Sequence, residues 1–208
     1  GTDDYDQSYF VQLDTEDRPH LCGQTVGSSL QLVGDVYADN PNGSTFVVRF
    51  GPALDDVDWV TRIGLPQSGI DISPTAFLVS DCDEMYISGW GGVSNNNNSS
   101  TAGQSTTSGM PTTVDAYQIG TDGSDFWLGV LAPEAADLTY GTFFGGTFSD
   151  EHVDGGTSRF DKNGTVYQAV CAGCGGWDDF PTTAGAWSGT NASSNCNLGV
   201  FKFNLGSL

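Results

Sequence analysis

One hydrophobic pattern runs through this chain three times, and that repetition restricts the available folds more than any other feature. Its clearest part is an eight-residue marker. It reads Leu30-Gln31-Leu32-Val33-Gly34-Asp35-Val36-Tyr37, then Met110-Pro111-Thr112-Thr113-Val114-Asp115-Ala116-Tyr117, then Phe180-Pro181-Thr182-Thr183-Ala184-Gly185-Ala186-Trp187. Each copy opens on a large apolar residue and closes seven positions later on an aromatic that follows a small apolar one. Equivalent places in three modules therefore meet the same packing demand. A repeat of about 65 to 80 residues is longer than a solenoid turn and suits a blade of several strands.

Upstream of each marker the pattern predicts a strand, a tight polar turn and a returning strand. The first strands fall at 9–13, 76–79 and 159–160, and the returning strands at 19–23, 85–89 and 166–170. The turns between them, at 14–17, 80–83 and 161–164, are rich in Asp, Asn, Ser and Gly, which tolerate unusual backbone angles or bond their own backbone. The second position of each returning strand is a ring: His20, Tyr86 and Tyr167. Downstream of the marker, 46–50, 126–131 and 200–203 read as further strands. Two copies continue into 59–64 and 140–145, which share aromatic-x-Thr-x-x-Gly, whereas the third stops before its counterpart. The Asn-, Ser- and Thr-rich stretch 95–108, between the hairpin and the marker strand of the second module, reads as a flexible loop.

No stretch of ten or more residues carries apolar positions at helical spacing, and 29 Gly and eight Pro would interrupt one repeatedly. The expected fold is all-β: a partial β-propeller of three four-stranded antiparallel blades at 1–64, 65–146 and 147–208, the last incomplete. A β-sandwich is the alternative, although its strands need not repeat as a unit. Propellers close with about four to eight blades. The chain is therefore expected to be a segment of a longer protein, or to be completed by other domains or chains.

Six basic against 26 acidic residues give a formal charge of −20, which opposes binding to nucleic acid or to an anionic membrane surface. The longest apolar runs are of strand length, so direct membrane insertion is not expected. Five cysteines are present: Cys22, Cys82, Cys171, Cys174 and Cys196. The Cys171-x-x-Cys174 pair suits zinc, but a tetrahedral site needs two further ligands, and neither His20 nor His152 has paired spacing. The expectation is instead a disulfide between Cys196 and either Cys171 or Cys174, stapling the loop of the third module.

Acidic pairs occur at Asp55-Asp56-x-Asp58, Asp81-x-Asp83-Glu84, Asp150-Glu151 and Asp178-Asp179. Glycosidases use two carboxyl groups at a fixed separation, which spacing in sequence does not supply, so no catalytic residue is assigned. Asp81, Asp83, Asp122 and Asp125 are calcium candidates, with hard oxygen ligands in turns but no complete EF-hand loop. The opposing reading is that such acids close hairpins through their own side chains. No Gly-x-Ser-x-Gly elbow is present. His20 is expected to fill a ring slot, and His152 to lie in a polar turn. Trp90 and Trp177, each flanked by Gly after a hairpin, are expected as exposed rings able to stack on a ligand.

The third copy runs from Gly155-Gly156 through Asp161-Lys162-Asn163-Gly164-Thr165-Val166-Tyr167 and Phe180-Pro181-Thr182-Thr183-Ala184-Gly185-Ala186 to Val200-Phe201-Lys202-Phe203. It resembles the bacterial seven-bladed β-propeller (SBBP) repeat, which has these elements in this order. With its Cys-Ala-Gly-Cys-Gly-Gly element at 171–176, it is similar to modules of very large Bacteroidota surface proteins that also carry PKD-type domains. The resemblance implies export, by type IX secretion, and display at the cell surface. It carries across no catalytic residue and no cofactor. The expected function is a non-catalytic display or binding module in adhesion, surface assembly or gliding motility, with a surface glycan or protein as partner. A secreted carbohydrate-active enzyme or carbohydrate-binding propeller is the alternative. Acids with perturbed proton affinity in a central pocket would favour the enzyme, and exposed rings would favour binding.

Overall fold

The computed structural model describes residues 1–65, 69–92, 105–153 and 158–206. The fold is all-β, with three four-stranded antiparallel sheets. The first holds β1 (Asp6–Leu13), β2 (Pro19–Thr25), β3 (Thr45–Phe50) and β4 (Val57–Ile63) in that order. The second holds β5 (Ser73–Val79), β6 (Met85–Trp90), β7 (Phe126–Leu131) and β8 (Leu138–Phe144), also in chain order. In the third, β9 (Asp150–His152) and β10 (Ser158–Phe160) both pair with β11 (Thr165–Cys174), whose other edge pairs with β12 (Asn197–Asn204). This sheet is therefore three strands wide among the described residues. The Asp154 to Gly156 part of the repeat motif lies outside them.

The three opening hairpins close in one way. Asp14, Ser80 and Asp161 each use a side-chain oxygen to accept from the backbone N–H two and four residues on, at 2.9 to 3.3 Å. The fourth turn residue has positive φ in every copy: Asp17 and Asp83 at 60° and Gly164 at 76°. Polar turn chemistry thus sets hairpin register, as the repeated Asp, Ser and Gly imply. The opening strands of the sheets also lie side by side, since β5 packs against β1 and β2 on one side and β10 on the other. This arrangement is consistent with blades of a partial propeller and equally with the packed sheets of a sandwich.

Apolar cores fill both junctions. Val47, Trp59 and Ile63 of the first sheet meet Phe77, Ile87 and Trp127 of the second. On its opposite face the second sheet packs Tyr86, Phe126 and Leu128 against Val166 and Phe201 of the third. Because β7 is covered on both faces, its sequence Phe-Trp-Leu-Gly-Val-Leu is continuously apolar rather than alternating. Burying that strand supplies about 1.5–3 kcal/mol per large side chain before the cost of ordering it.

The marker is a loop rather than the strand expected in the second module. Residues 30–37, 110–117 and 180–187 lie in the connections β2–β3, β6–β7 and β11–β12, with a single isolated bridge from Val33 to Val60. In the second and third copies the loop is closed by Ala116 N–H donating to Thr113 O and Ala186 N–H to Thr183 O. Its opening residue plugs a core, as Leu30, Met110 and Phe180 each do. In the first two copies its closing aromatic reaches the next sheet, as Tyr37 N–H donates to Ala135 O and the Tyr117 ring meets that of Phe203 at 5.8 Å. Trp187 of the third copy is fully exposed, so the three places do not share one packing demand. What repeats in all three copies is the apolar residue that opens the loop and plugs a core.

The end of the 95–108 stretch is also packed rather than flexible. Ser105 bridges to Ile70, and the buried Thr107 begins a short 3-10 turn, Thr107–Gly109. Residues 93–104 of this region lie outside the described residues. Among the described residues no helix is long and apolar enough to cross a membrane.

Candidate functional site

A groove of about 500 Å³ lies where the second and third sheets meet. The β6–β7 connection supplies Gln118, Thr121 and Asp122, the β8–β9 turn supplies Gly145, Gly146 and Thr147, and the β11–β12 connection supplies Asp179 and Pro181. These three loops, well separated in sequence, converge because each leaves the same end of its sheet. Asp122 accepts from Ser124 N–H at 2.9 Å, and its carboxyl is pushed up by burial and then by the charges of Asp150 and Asp179. Asp179 Oδ2 accepts from the N–H groups of Thr147 and Phe148 at 2.8 and 2.7 Å, tying the β8–β9 turn to the β11–β12 connection. Its Oδ1 is buried with no hydrogen-bond partner.

Behind the glycine wall of this groove sit two fully buried acids, Asp125 and Glu151. A Cβ placed on Gly145 would collide with Asp125 Oδ1 and stand 2.7 Å from Glu151 Oε2, so both carboxyls crowd one glycine. Gln118 Nε2 donates to Asp125 Oδ2 at 3.1 Å, while Oδ1 has no partner. Ser149 Oγ donates to Glu151 Oε1 at 2.5 Å and Gly146 N–H to Oε2 at 3.1 Å. Burial pushes Asp125 up to about 7, with Asp122 and Asp179 adding repulsion, and pushes Glu151 up to about 8 against the pull of its donors. The pair therefore holds at least one proton near neutrality, as like charges in a dry site must. Both acids are fully buried and neither is among the residues that line the groove.

Two exposed rings adjoin groove residues without lining the groove. Phe148, next to Thr147, and Trp177, two residues before Asp179, lie with centroids 5.3 Å apart and ring planes tilted by 38°, and are 64% and 49% exposed. The groove thus offers carboxylates, an amide and hydroxyls beside an aromatic platform. Planar polar side chains and exposed rings together suit a polyhydroxylated ligand.

The sequence candidates divide accordingly. Asp122 lines the groove and Asp125 stands behind it, whereas Asp81 and Asp83 belong to the hairpin turn of the second sheet. Among the described residues these four do not form a group of three or more acids with ligand oxygens mutually within 4.8 Å; the group that meets this distance is His152, Cys174 and Cys196. Trp177 is exposed as expected. Trp90 is not: it ends β6 at 5% exposure, its ring 6.0 Å from that of His152, because the third sheet covers that face. His20 fills its ring slot, buried edge-on to Trp59 at 5.5 Å, and burial pushes its imidazole down. The disulfide joins Cys174 to Cys196. Sequence reasoning missed Gln118 and Phe148, which carry no motif, and treated Glu151 only as one of an adjacent acidic pair.

No family model matches the chain, and no curated protein matches it.

Proposed function

We propose that the chain is a non-catalytic binding segment of a β-propeller, exported and displayed outside the cell or on its surface, which holds a glycan in the groove between its second and third sheets. The observation that carries this reading is the separation of roles at the site. The exposed Phe148 and Trp177 rings stand beside a polar groove, while Asp125 and Glu151, the acids with the strongest proton hold, are sealed behind Gly145. An acid–base pair that hydrolysed a bound sugar would have to reach it. The Cys174–Cys196 disulfide agrees with an oxidising compartment.

Completion by further blades is supported by positions that sheet register makes equivalent. Phe126 and Leu128 pair with Trp90 and Ser88 of β6 and are fully buried. Leu198 and Val200 hold the matching places opposite Cys171 and Ala169 of β11, yet are 78% and 70% exposed. That outer face has the composition of a covered one.

The test is a glycan array followed by calorimetric titration of the best ligand. Binding that is lost in Trp177→Ala, with the ligand recovered intact, supports the proposal. Release of cleaved product that Asp125→Asn abolishes would make the chain an enzyme instead, and retention of full affinity by Trp177→Ala would remove the groove from consideration.

A further inference from the structure

The third sheet gathers a second set of chemically capable side chains outside the groove. In a regular strand residues three apart point to opposite faces, which would separate Cys171 from Cys174. A register shift lies between them, with Gly173 at a φ of 65°, and a bulge of this kind re-aims the later side chain. Cys174 Sγ consequently lies 3.5 Å from His152 Nδ1 on β9, and Cys196 arrives from the far end of the marker loop. Ligand atoms of His152, Cys174 and Cys196 all lie within 4.8 Å of one another. Asn191 Nδ2 holds this loop, within 3.1 Å of the carbonyls of Gly173, Trp177 and Asn195. Cys171 is the cross-strand partner of His152, where Cβ atoms lie about 4.5–5.5 Å apart. That pairing sets Cys171 on the strand position facing His152, beside the group of three. The ligand shortage that the sequence presents is made good by the β9–β11 register, which no residue spacing reports.

We propose that His152, Cys171, Cys174 and Cys196 form a tetrahedral zinc site that reduction of the Cys174–Cys196 disulfide opens. Three thiolates and one imidazole are a common closed set for structural zinc, whose preference for sulfur and nitrogen matches this group over the oxygen-binding cations. With the disulfide formed, two of the four sulfurs are bonded to each other and the site is blocked. A dithiol reductant supplies two electrons and two protons, becomes a cyclic disulfide, and leaves Cys174 and Cys196 as thiols. Zinc then displaces the protons of the three thiols to buffer and takes the neutral imidazole nitrogen, with no further redox change. The two forms exclude one another, so the oxidation state of one sulfur pair selects between covalent and metal-held closure of the same loop.

The chain is reduced with a dithiol, desalted without oxygen and titrated with Co²⁺, with zinc added afterwards. The expected result is one Co²⁺ per chain, with the visible bands and thiolate charge-transfer absorption of a tetrahedral sulfur-rich site, bleached when zinc displaces cobalt. The oxidised chain, whose fold is intact, should show none of these bands and serves as the control against misfolding. His152→Ala and Cys171→Ser, each checked for native circular dichroism when oxidised, should lose or shift the bands. The proposal is overturned if the reduced chain takes up no cobalt, if the oxidised chain binds equally, or if either variant keeps the wild-type spectrum and affinity.

Discussion

The two junctions between sheets share a backbone plan and differ in the chemistry placed on it. At each, the residue after the fourth strand is a glycine, Gly64 or Gly145, whose N–H donates to a side-chain oxygen from the marker region, Asp39 at 3.1 Å or Gln118 at 3.2 Å. The residue before the third strand is Ser44 in the first junction and Asp125 in the second. Its partner is Asp71 in the first, with Ser44 Oγ donating to Oδ2 at 2.6 Å and accepting from Asp71 N–H at 2.7 Å. In the second, Glu151 stands in that place. A hydroxyl satisfies a buried carboxylate with no added proton, whereas a second carboxyl does so only while one of the two is protonated. The first junction is further tied by Arg49, which bonds Asp58 in its own sheet and Glu134 across the gap. The second junction therefore stores a proton next to an open groove, while the first carries one raised acid of its own, Asp39, which burial pushes up to about 6.

Replacing the two glycines should give the largest effects. An alanine Cβ would collide with Asp71 Oδ2 at Gly64 and with Asp125 Oδ1 at Gly145, but only Gly64 also has left-handed backbone, at a φ of 100°. Gly64→Ala is expected to cost about 3 kcal/mol or more, and Gly145→Ala roughly 1–2 kcal/mol less, since strained backbone adds to overpacking. Urea unfolding ranks them, and equal costs would mean that the backbone difference does not matter. Ser44→Ala comes next, at about 1.5–3 kcal/mol for a hydrogen bond lost from a buried carboxylate. A loss under about 0.5 kcal/mol would show that Asp71 does not depend on that hydroxyl.

Asp125 and Glu151 are raised further than Asp39, so the pH response should be larger at the second junction. Asp125 is held near 7 in the fold against 3.8 for a free carboxyl, so the folded chain keeps a proton that the unfolded chain releases between those values. Its contribution is fully present below about pH 4 and is lost as pH rises through about 7. Asp125→Ser, which copies the first junction, should flatten the fall in Tm between pH 5 and 8 by about the first kcal/mol or two of that linkage. An unchanged slope would place the proton elsewhere, with Glu151, raised to about 8 by burial, the next group to replace. The smallest effect on stability belongs to Trp177→Ala, at under about 1 kcal/mol, because half of the ring already faces water. Unfolding of that variant should match the wild type even where ligand binding is lost.

Strand order, hairpin positions and the number of sheets were legible because each rests on local chemistry. Alternation of apolar side chains follows from strand geometry, and the Asp, Ser and Gly of the 14–17, 80–83 and 161–164 turns bond neighbours a fixed few residues away. The cysteine pairing was legible to within two choices for the same reason, loop spacing being a local quantity. The marker was legible as a repeat but not as a loop, since the apolar residue that opens each copy plugs a core without belonging to a strand. The tertiary structure alone decided that Trp90 is covered, that His152 meets the cysteines, and that Gln118, Asp122, Thr147 and Asp179 share one groove. Contacts of that kind depend on which sheets become neighbours and on the register of β9 against β11. Those are set by the summed packing of two cores, and no short stretch of sequence carries them.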